Sequence, residues 1–98
     1  MNCSLTNAFA ANISITKGSE KQIAWASDIV ANVLKSQDAY LEKVAAQRGR
    51  EVVYPQSAHS EAAEMVELAN KTDAKVIIDS RVLPMCHLLS KLRKIHGV

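Results

Sequence analysis

The chain has 98 residues, of which 48% are hydrophobic and 22% are charged, and this composition indicates one small globular domain rather than a disordered segment or a two-domain enzyme. The formal charge of +2 is too small an excess to indicate nucleic acid by itself, and its sign excludes an acidic DNA mimic. No apolar run approaches the roughly 20 residues that span a bilayer, and no secretory signal is visible, so we expect a cytoplasmic protein with no membrane partner.

Residues 1–18 are predicted to form an N-terminal arm ahead of a single helical domain over residues 19–98. The arm is small and polar, with brief apolar alternation over residues 12–16, so a short strand, a docked irregular arm and disorder all remain open. The arm contains Cys3, and the other cysteine is Cys86. We expect both to be reduced thiols, the second in the core, because disulfides are rare in proteins that are not exported.

The first long helix is predicted to begin after Ser19. Ser19 and Gln22 have the spacing of a capping box, in which two side chains satisfy amides at a helix start. Apolar residues then recur at steps of three and four, which predicts one amphipathic helix. Gly49 is expected to end the helix near Gln47 by adopting a positive φ. The apolar stripe consists of Ile23, Ala26, Val30, Val33, Leu41 and Val44.

Two features of this helix leave alternatives open. The polar interval over residues 35–38 could split it, although one continuous helix is the preferred interpretation. Trp25 offers a large apolar area with one N–H donor, which suits either a core anchor or a hot spot for a partner. Burial tendencies favour the core.

A linker and a second helix follow. Residues 49–57 form the linker, and the Val-Val-Tyr triplet at 52–54 favours a short strand. The second helix is predicted to start near Ser57 or Ser60 and to end at about Lys71, with Glu residues near its positive dipole end.

The last third of the chain permits two fold classes. Asp73 could cap a helix over residues 74–80, but residues 75–79 also have the pattern of a buried strand. Pro84 suits the first turn of a final helix. We therefore predict a small all-α domain of three or four helices, with α+β as the alternative. The apolar face of the final helix is predicted to comprise Met85, Leu88, Leu89, Leu92 and Ile95.

Acidic and basic residues are segregated along the chain. Residues 51–67 carry four Glu and no Lys or Arg, whereas residues 81–98 carry only basic charges. We expect the acidic helix to lie beside the basic one within the bundle. The functional alternative is a basic face for phosphates, built from the final helix and the Gly49 loop. The candidate binding residues are Arg48, Arg50, Arg81, Lys91, Arg93 and Lys94.

Arg81 belongs to a second pattern, in which charges of alternating sign follow one another. Asp73, Lys75, Asp79 and Arg81 could form a recognition surface. Internal ion pairs that tie this segment to the first helix are the preferred interpretation.

Two segments resemble small, mostly uncharacterised proteins of bacterial phages and mobile elements. Residues 17–26 are similar to the pattern T-G-S-E-K-Q-I-x-W-A, with Lys17 in place of Thr. Residues 72–81 are similar to D-A-K-x-x-I-D-x-R, with Val76 and Ile77 where that group has aromatic residues. Together the two segments cover about a fifth of the chain. The resemblance implies that the second segment is also a helix, and a bacterial host whose machinery such proteins often bind, inhibit or regulate, anti-CRISPR proteins among them.

No residue pattern predicts an active site, a metal site or a cofactor. His87 beside Cys86 lacks the spacing of zinc ligands, and no residue that would orient a base is visible. We therefore predict a non-enzymatic binding protein that inhibits or regulates a host protein or nucleoprotein complex by steric occlusion. The alternative is a small DNA- or RNA-binding regulator that uses the basic C-terminal helix, and a third interpretation is a homodimeric structural protein.

Overall fold

The computed structural model describes residues 3–98 and folds them into five α-helices and one short 3-10 helix. The elements are α1 (Leu5–Phe9), the 3-10 helix (Ala10–Asn12), α2 (Glu20–Gln47), α3 (Gln56–Asn70), α4 (Ala74–Asp79) and α5 (Met85–His96). The all-α prediction is confirmed. The α+β alternative is wrong for this part of the chain, because residues 52–54 are irregular and residues 75–79 lie in α4.

Helix α2 begins and ends where local hydrogen bonding predicts. The Gln22 amide donates to Ser19 Oγ, and the Ser19 amide donates to Gln22 Oε1, each at 3.2 Å. Gly49 adopts a φ of +63° just beyond the last helical residue, Gln47. The helix is continuous through residues 35–38, so the preferred interpretation of the polar interval is confirmed.

The inner face of α2 forms one side of the core, but Trp25 lies outside it. The buried apolar residues of α2 are Ala26, Ile29, Val30, Val33, Leu34 and Ala45. Trp25 is 50% exposed, so the prediction of a tryptophan core anchor is wrong. A helix turns about 100° per residue, so Trp25 is rotated away from Ala26, which occupies the buried position.

The later helices use caps that differ in part from those predicted. Helix α3 begins at Gln56 with Pro55 as its N-cap, earlier than either predicted serine, because proline fixes a φ suited to a helix start. Asp73 caps α4, with its Oδ1 accepting from the Lys75 amide at 2.9 Å. Pro84 is the N-cap of α5, close to its predicted place in the first turn.

Two side chains of α5 that are predicted to be buried lie outside the core. Ile95 and Cys86 are both exposed, whereas Met85, Leu88, Leu89 and Leu92 are buried. Cys86 follows Met85 directly, so the rotation of about 100° per residue turns it outward. Ile95 lies on the last turn of α5 and is 49% exposed.

The N-terminal segment is helical and packs into the core. Residues 1–2 of the predicted arm lie outside the described residues. Within the remainder, Leu5 and Ile15 are buried among the core residues, so the short strand and disorder are both wrong for it. The docked arm is confirmed, irregular over residues 13–18 but helical over residues 5–12. The Asp38 carboxylate of α2 receives the start of α1, accepting from the amides of Leu5 and Thr6 at 2.8 and 3.0 Å. The Thr6 hydroxyl donates to the same carboxylate at 2.6 Å.

Candidate functional site

Two of the candidate basic residues on α5 are held by partners within the fold. Lys91 Nζ donates to Ser80 Oγ at 2.5 Å. Arg93 donates through Nε and Nη2 to the two carboxylate oxygens of Glu64 on α3, at 2.6 and 2.7 Å. The expectation that the acidic helix lies beside the basic one is confirmed. These two cations therefore serve the packing of α5, and Lys94 is exposed one residue further on.

The Glu64–Arg93 pair is held in its charged form. Hydrogen bonding from the Arg93 guanidinium lowers the pKa of the Glu64 carboxyl below its ordinary value. The same hydrogen bond raises the pKa of Arg93. Two parallel hydrogen bonds between planar groups fix the orientation of the guanidinium, with its Nε–Nη2 edge facing Glu64.

The C-terminal end of α5 lies near the N-terminal end of α2. The Ala74 amide donates to the Lys17 carbonyl at 2.8 Å, which places the start of α4 beside the start of α2. Two residues earlier, Thr72 Oγ1 lies 2.8 Å from His96 Nε2 at the end of α5. Lys94 therefore belongs to this end of the molecule.

Arg48 and Arg50 lie at the opposite end of the molecule. They follow the last residue of α2, whose 28 residues span about 42 Å at 1.5 Å per residue. The molecule itself is 44 Å in its longest dimension. The structure therefore does not bring these arginines together with Lys94 into one basic face.

Arg81 joins the segments at residues 17–26 and 72–81. Its guanidinium carbon lies 5.7 Å from the centroid of the Trp25 ring, a cation–π arrangement. Arg81 Nη1 also donates to the Ile78 carbonyl at the end of α4, at 2.9 Å. Among the described residues Arg81 forms no ion pair with Asp73 or Asp79, so the expected internal ion pairs are wrong for it. Stacking on Trp25 links α4 to α2 instead.

A groove of about 590 Å³ runs between α2 and the loop that joins α4 to α5. Buried apolar residues lie at its base, and neutral polar residues of α2 form one wall. The base comprises Ile29, Val33 and Met85, the α2 wall comprises Asn32, Ser36, Gln37 and Tyr40, and the loop wall comprises Arg81, Val82, Leu83 and Pro84.

The rim of the groove exposes apolar surface on both walls. Tyr40 is 60% exposed and Val82 is 85% exposed, one on each wall. Trp25 lies beside the loop wall, against Arg81. Exposed aromatic and aliphatic side chains at a groove, together with an arginine, are typical of a surface that contacts another protein.

The serine–lysine pair in the fold is not arranged for catalysis. Ser80 lies beside Lys91, but it is 1% exposed, and its hydroxyl proton is directed to the Val76 carbonyl at 2.8 Å. A nucleophile needs access to a substrate and a base that accepts its proton, whereas the Lys91 ammonium donates to this oxygen. The pair secures the end of α4 to α5.

Two of the imidazoles also have structural partners. His59 Nε2 donates to the Cys3 carbonyl at 2.9 Å, and its ring meets Phe9 edge-on. His96 Nε2 donates to Thr72 Oγ1, whose own proton goes to the Leu68 carbonyl. No group of three His, Cys, Asp or Glu side chains between residues 3 and 98 is arranged to hold a metal ion.

Comparisons with known proteins give no match. No protein-family model matches the chain, and no curated protein or solved structure is significantly similar to it. Among the helices of residues 3–98, none combines the length and apolar character needed to cross a membrane.

Sequence reasoning identified Arg81 but not the groove next to it. Val82 and Tyr40 were not predicted as site residues, because neither belongs to the periodic apolar pattern of a helix. One signal was present in the sequence, since two apolar residues, Val82 and Leu83, stand between Arg81 and Pro84. The α2 wall depends on where the loop between α4 and α5 packs, which no local pattern indicates.

Proposed function

We propose that this chain is a binding protein without catalytic activity that docks on a host protein or nucleoprotein complex and acts by covering a functional surface. The observation that carries the proposal is the open groove, which has exposed Val82 and Tyr40 on its two walls. The half-exposed Trp25 lies next to it, against Arg81. Burying such side chains in a partner is favourable by roughly 25 cal/mol for each Å² of apolar surface removed from water.

The resemblance of residues 17–26 and 72–81 to phage and mobile-element proteins supports the same proposal. These two segments pack against each other and place Trp25 and Arg81 in contact. An inhibitor of a bacterial defence complex, of the anti-CRISPR type, needs only such a surface, because occluding a site requires no chemistry of its own.

The disposition of the basic residues favours this proposal over a nucleic-acid regulator. Lys91 and Arg93 are occupied by Ser80 and Glu64, and Arg48 lies at the far end of α2 from Lys94. Nucleic-acid affinity depends on several cations that contact phosphates together. Lys91, Arg93 and Lys94 line one pocket along α5, but two of these three cations already have partners within the fold.

The test is capture from a bacterial host lysate with tagged wild-type chain and two matched variants. Val82→Asp puts a charge on the groove rim, whereas Val98→Asp makes the same change at an exposed position near the C-terminus. We expect one protein or complex to be retained in stoichiometric amount by the wild type and by Val98→Asp, and lost by Val82→Asp. The activity of the captured complex should fall as wild-type chain is added.

Three results would contradict the proposal. The first is that no stoichiometric partner is retained, and the second is that Val82→Asp retains it as well as the wild type. The third is retention of nucleic acid alone, with affinity that falls steeply as salt is raised, which would favour the DNA- or RNA-binding alternative.

A further inference from the structure

We infer that the groove between α2 and the α4–α5 loop takes one amphipathic helix of the partner protein, which anchors apolar side chains in the groove and places a carboxylate against Arg81. This inference rests on the proposed function, since it specifies the partner chemistry at the same surface. It has three supports: the dimensions of the groove, its apolar base and the charge on its rim.

The dimensions suit a helix of a few turns. The α2 residues along the groove run from Ile29 to Tyr40, a distance of about 16 Å at 1.5 Å per residue. Helices that dock in grooves do so through apolar residues at spacings of three, four and seven. Anchors seven residues apart are separated by about 10 Å, so two such anchors fit within this length.

The lining of the groove favours apolar anchors flanked by polar groups. Its base is apolar and buried, at Ile29, Val33 and Met85. Asn32 and Ser36 lie one helical turn apart on the wall and offer neutral hydrogen-bonding groups. An apolar side chain that enters the groove loses contact with water without leaving a charged group unpaired.

Arg81 determines the sign of the charge that the partner brings. It is the only charged residue among those that line the groove within the described part of the chain. Stacking on Trp25 and donation to Ile78 orient its guanidinium, but neither contact neutralises it. An oriented guanidinium recognises a carboxylate through paired hydrogen bonds, so a partner Asp or Glu complements this rim.

The same charge argues against a second copy of this chain as the occupant. In a two-fold symmetric dimer the same patch faces itself. Arg81 would then enter the interface from both copies, while no acidic residue lines the groove to neutralise either one. Like charges at an interface are unfavourable. A partner with an acidic residue has no such conflict.

The test is selection from a displayed library of helical peptides of about 14 residues, four turns at 3.6 residues per turn, randomised along one face. The wild-type chain of 98 residues is the bait, and Val82→Asp is the counter-selection bait. We expect the enriched peptides to carry two large apolar residues on one face, with Asp or Glu near one end. The most enriched peptide, synthesised with a fluorescent label, then serves as the probe for affinity measurements.

A double-mutant cycle on that probe tests the role of Arg81. Arg81→Gln should weaken binding by about tenfold, the effect of one charge-assisted hydrogen bond. Replacing the peptide carboxylate by its amide should weaken binding to the wild type by about the same factor. The same replacement should hardly change the affinity of Arg81→Gln for the peptide. Lys75→Gln removes one exposed charge of α4 outside the groove lining, and should change affinity less than about twofold.

Each contrary result overturns the inference in a distinct way. Failure to enrich any peptide over the Val82→Asp bait excludes a helix as the occupant. Enriched peptides without acidic residues, or additive effects in the cycle, exclude the contact with Arg81. A dimer in sedimentation that Val82→Asp dissociates assigns the groove to a second copy. If lysate capture still depends on Val82 in any of these cases, the proposed function stands and only the partner chemistry is wrong.

Discussion

Asp38 is expected to be the most consequential polar residue of the fold. It is 6% exposed in the middle of α2, and its carboxylate accepts three hydrogen bonds from the first two residues of α1. Replacing it with alanine removes every acceptor that those donors use. Helix α1 would lose the group that attaches its start to the body of the protein.

The loss of stability expected for Asp38→Ala follows from the burial of each donor. The Leu5 amide is buried, and a buried donor left without a partner costs about 1–3 kcal/mol. The amide and the hydroxyl of Thr6 are partly buried and can turn to water, at about 1 kcal/mol each. Asp38→Ala should therefore lower the free energy of unfolding by about 3–5 kcal/mol, a large part of the roughly 5–15 kcal/mol that stabilises a typical domain.

Urea and thermal unfolding followed by circular dichroism measure this loss. At about 4 °C per kcal/mol for a domain of this size, Asp38→Ala should lower Tm by at least about 12 °C. Asp28→Ala is the matched control, since Asp28 is an exposed aspartate of the same helix, and should change stability by less than about 0.5 kcal/mol. If Asp38→Ala does not fold, Thr6→Val provides a milder test with an expected loss of about 1 kcal/mol. Equal stability of the two aspartate variants would refute the role of the carboxylate.

Three further predictions concern charge, the exposed tryptophan and the thiols. The folded state lowers the pKa of Glu64 from 4.5, so its contribution to stability is present above that pH and is lost as the pH falls through the lowered value. The stability difference between the wild type and Glu64→Gln should therefore shrink below about pH 4.5, and an unchanged difference would contradict the pairing. Acrylamide should quench Trp25 in the native state, and Trp25→Ala should destabilise the protein less than Leu34→Ala, which should cost about 2–5 kcal/mol. Cys3 and Cys86 should both react with a thiol reagent without denaturant, and a single reacting thiol would contradict their exposure.

Features determined by neighbouring residues were predictable from the sequence. The capping box of Ser19 and Gln22 and the glycine end of α2 depend on hydrogen bonds and φ angles within a few residues. Asp73 favoured a helix for the same reason, although the strand interpretation of the following residues was equally compatible with their pattern. In the structure the Asp73 side chain caps α4, which is the local feature that distinguishes the two.

Features that depend on distant parts of the chain were not predictable. Asp38 stands in a polar interval, and its partners lie 32 and 33 residues earlier in the sequence, so nothing near it indicates a buried carboxylate. Trp25 and Ile95 both lie at the edge of an apolar stripe, where burial depends on how far the neighbouring helices extend. Periodicity gives the direction of a buried face but not its width.

The charge pattern shows why counting residues was a poor guide to the site. Of the basic residues near the C-terminus, Lys91 and Arg93 have partners within the fold, which reduces their value to any external phosphate. Arg81 has a carbonyl and an aromatic ring as partners instead, so its charge remains available beside apolar surface. Trp25 orients Arg81, which lines the groove, so Trp25→Ala should alter packing and binding together. Val82 is 85% exposed, so Val82→Asp should weaken binding at the groove and leave the stability of the fold nearly unchanged.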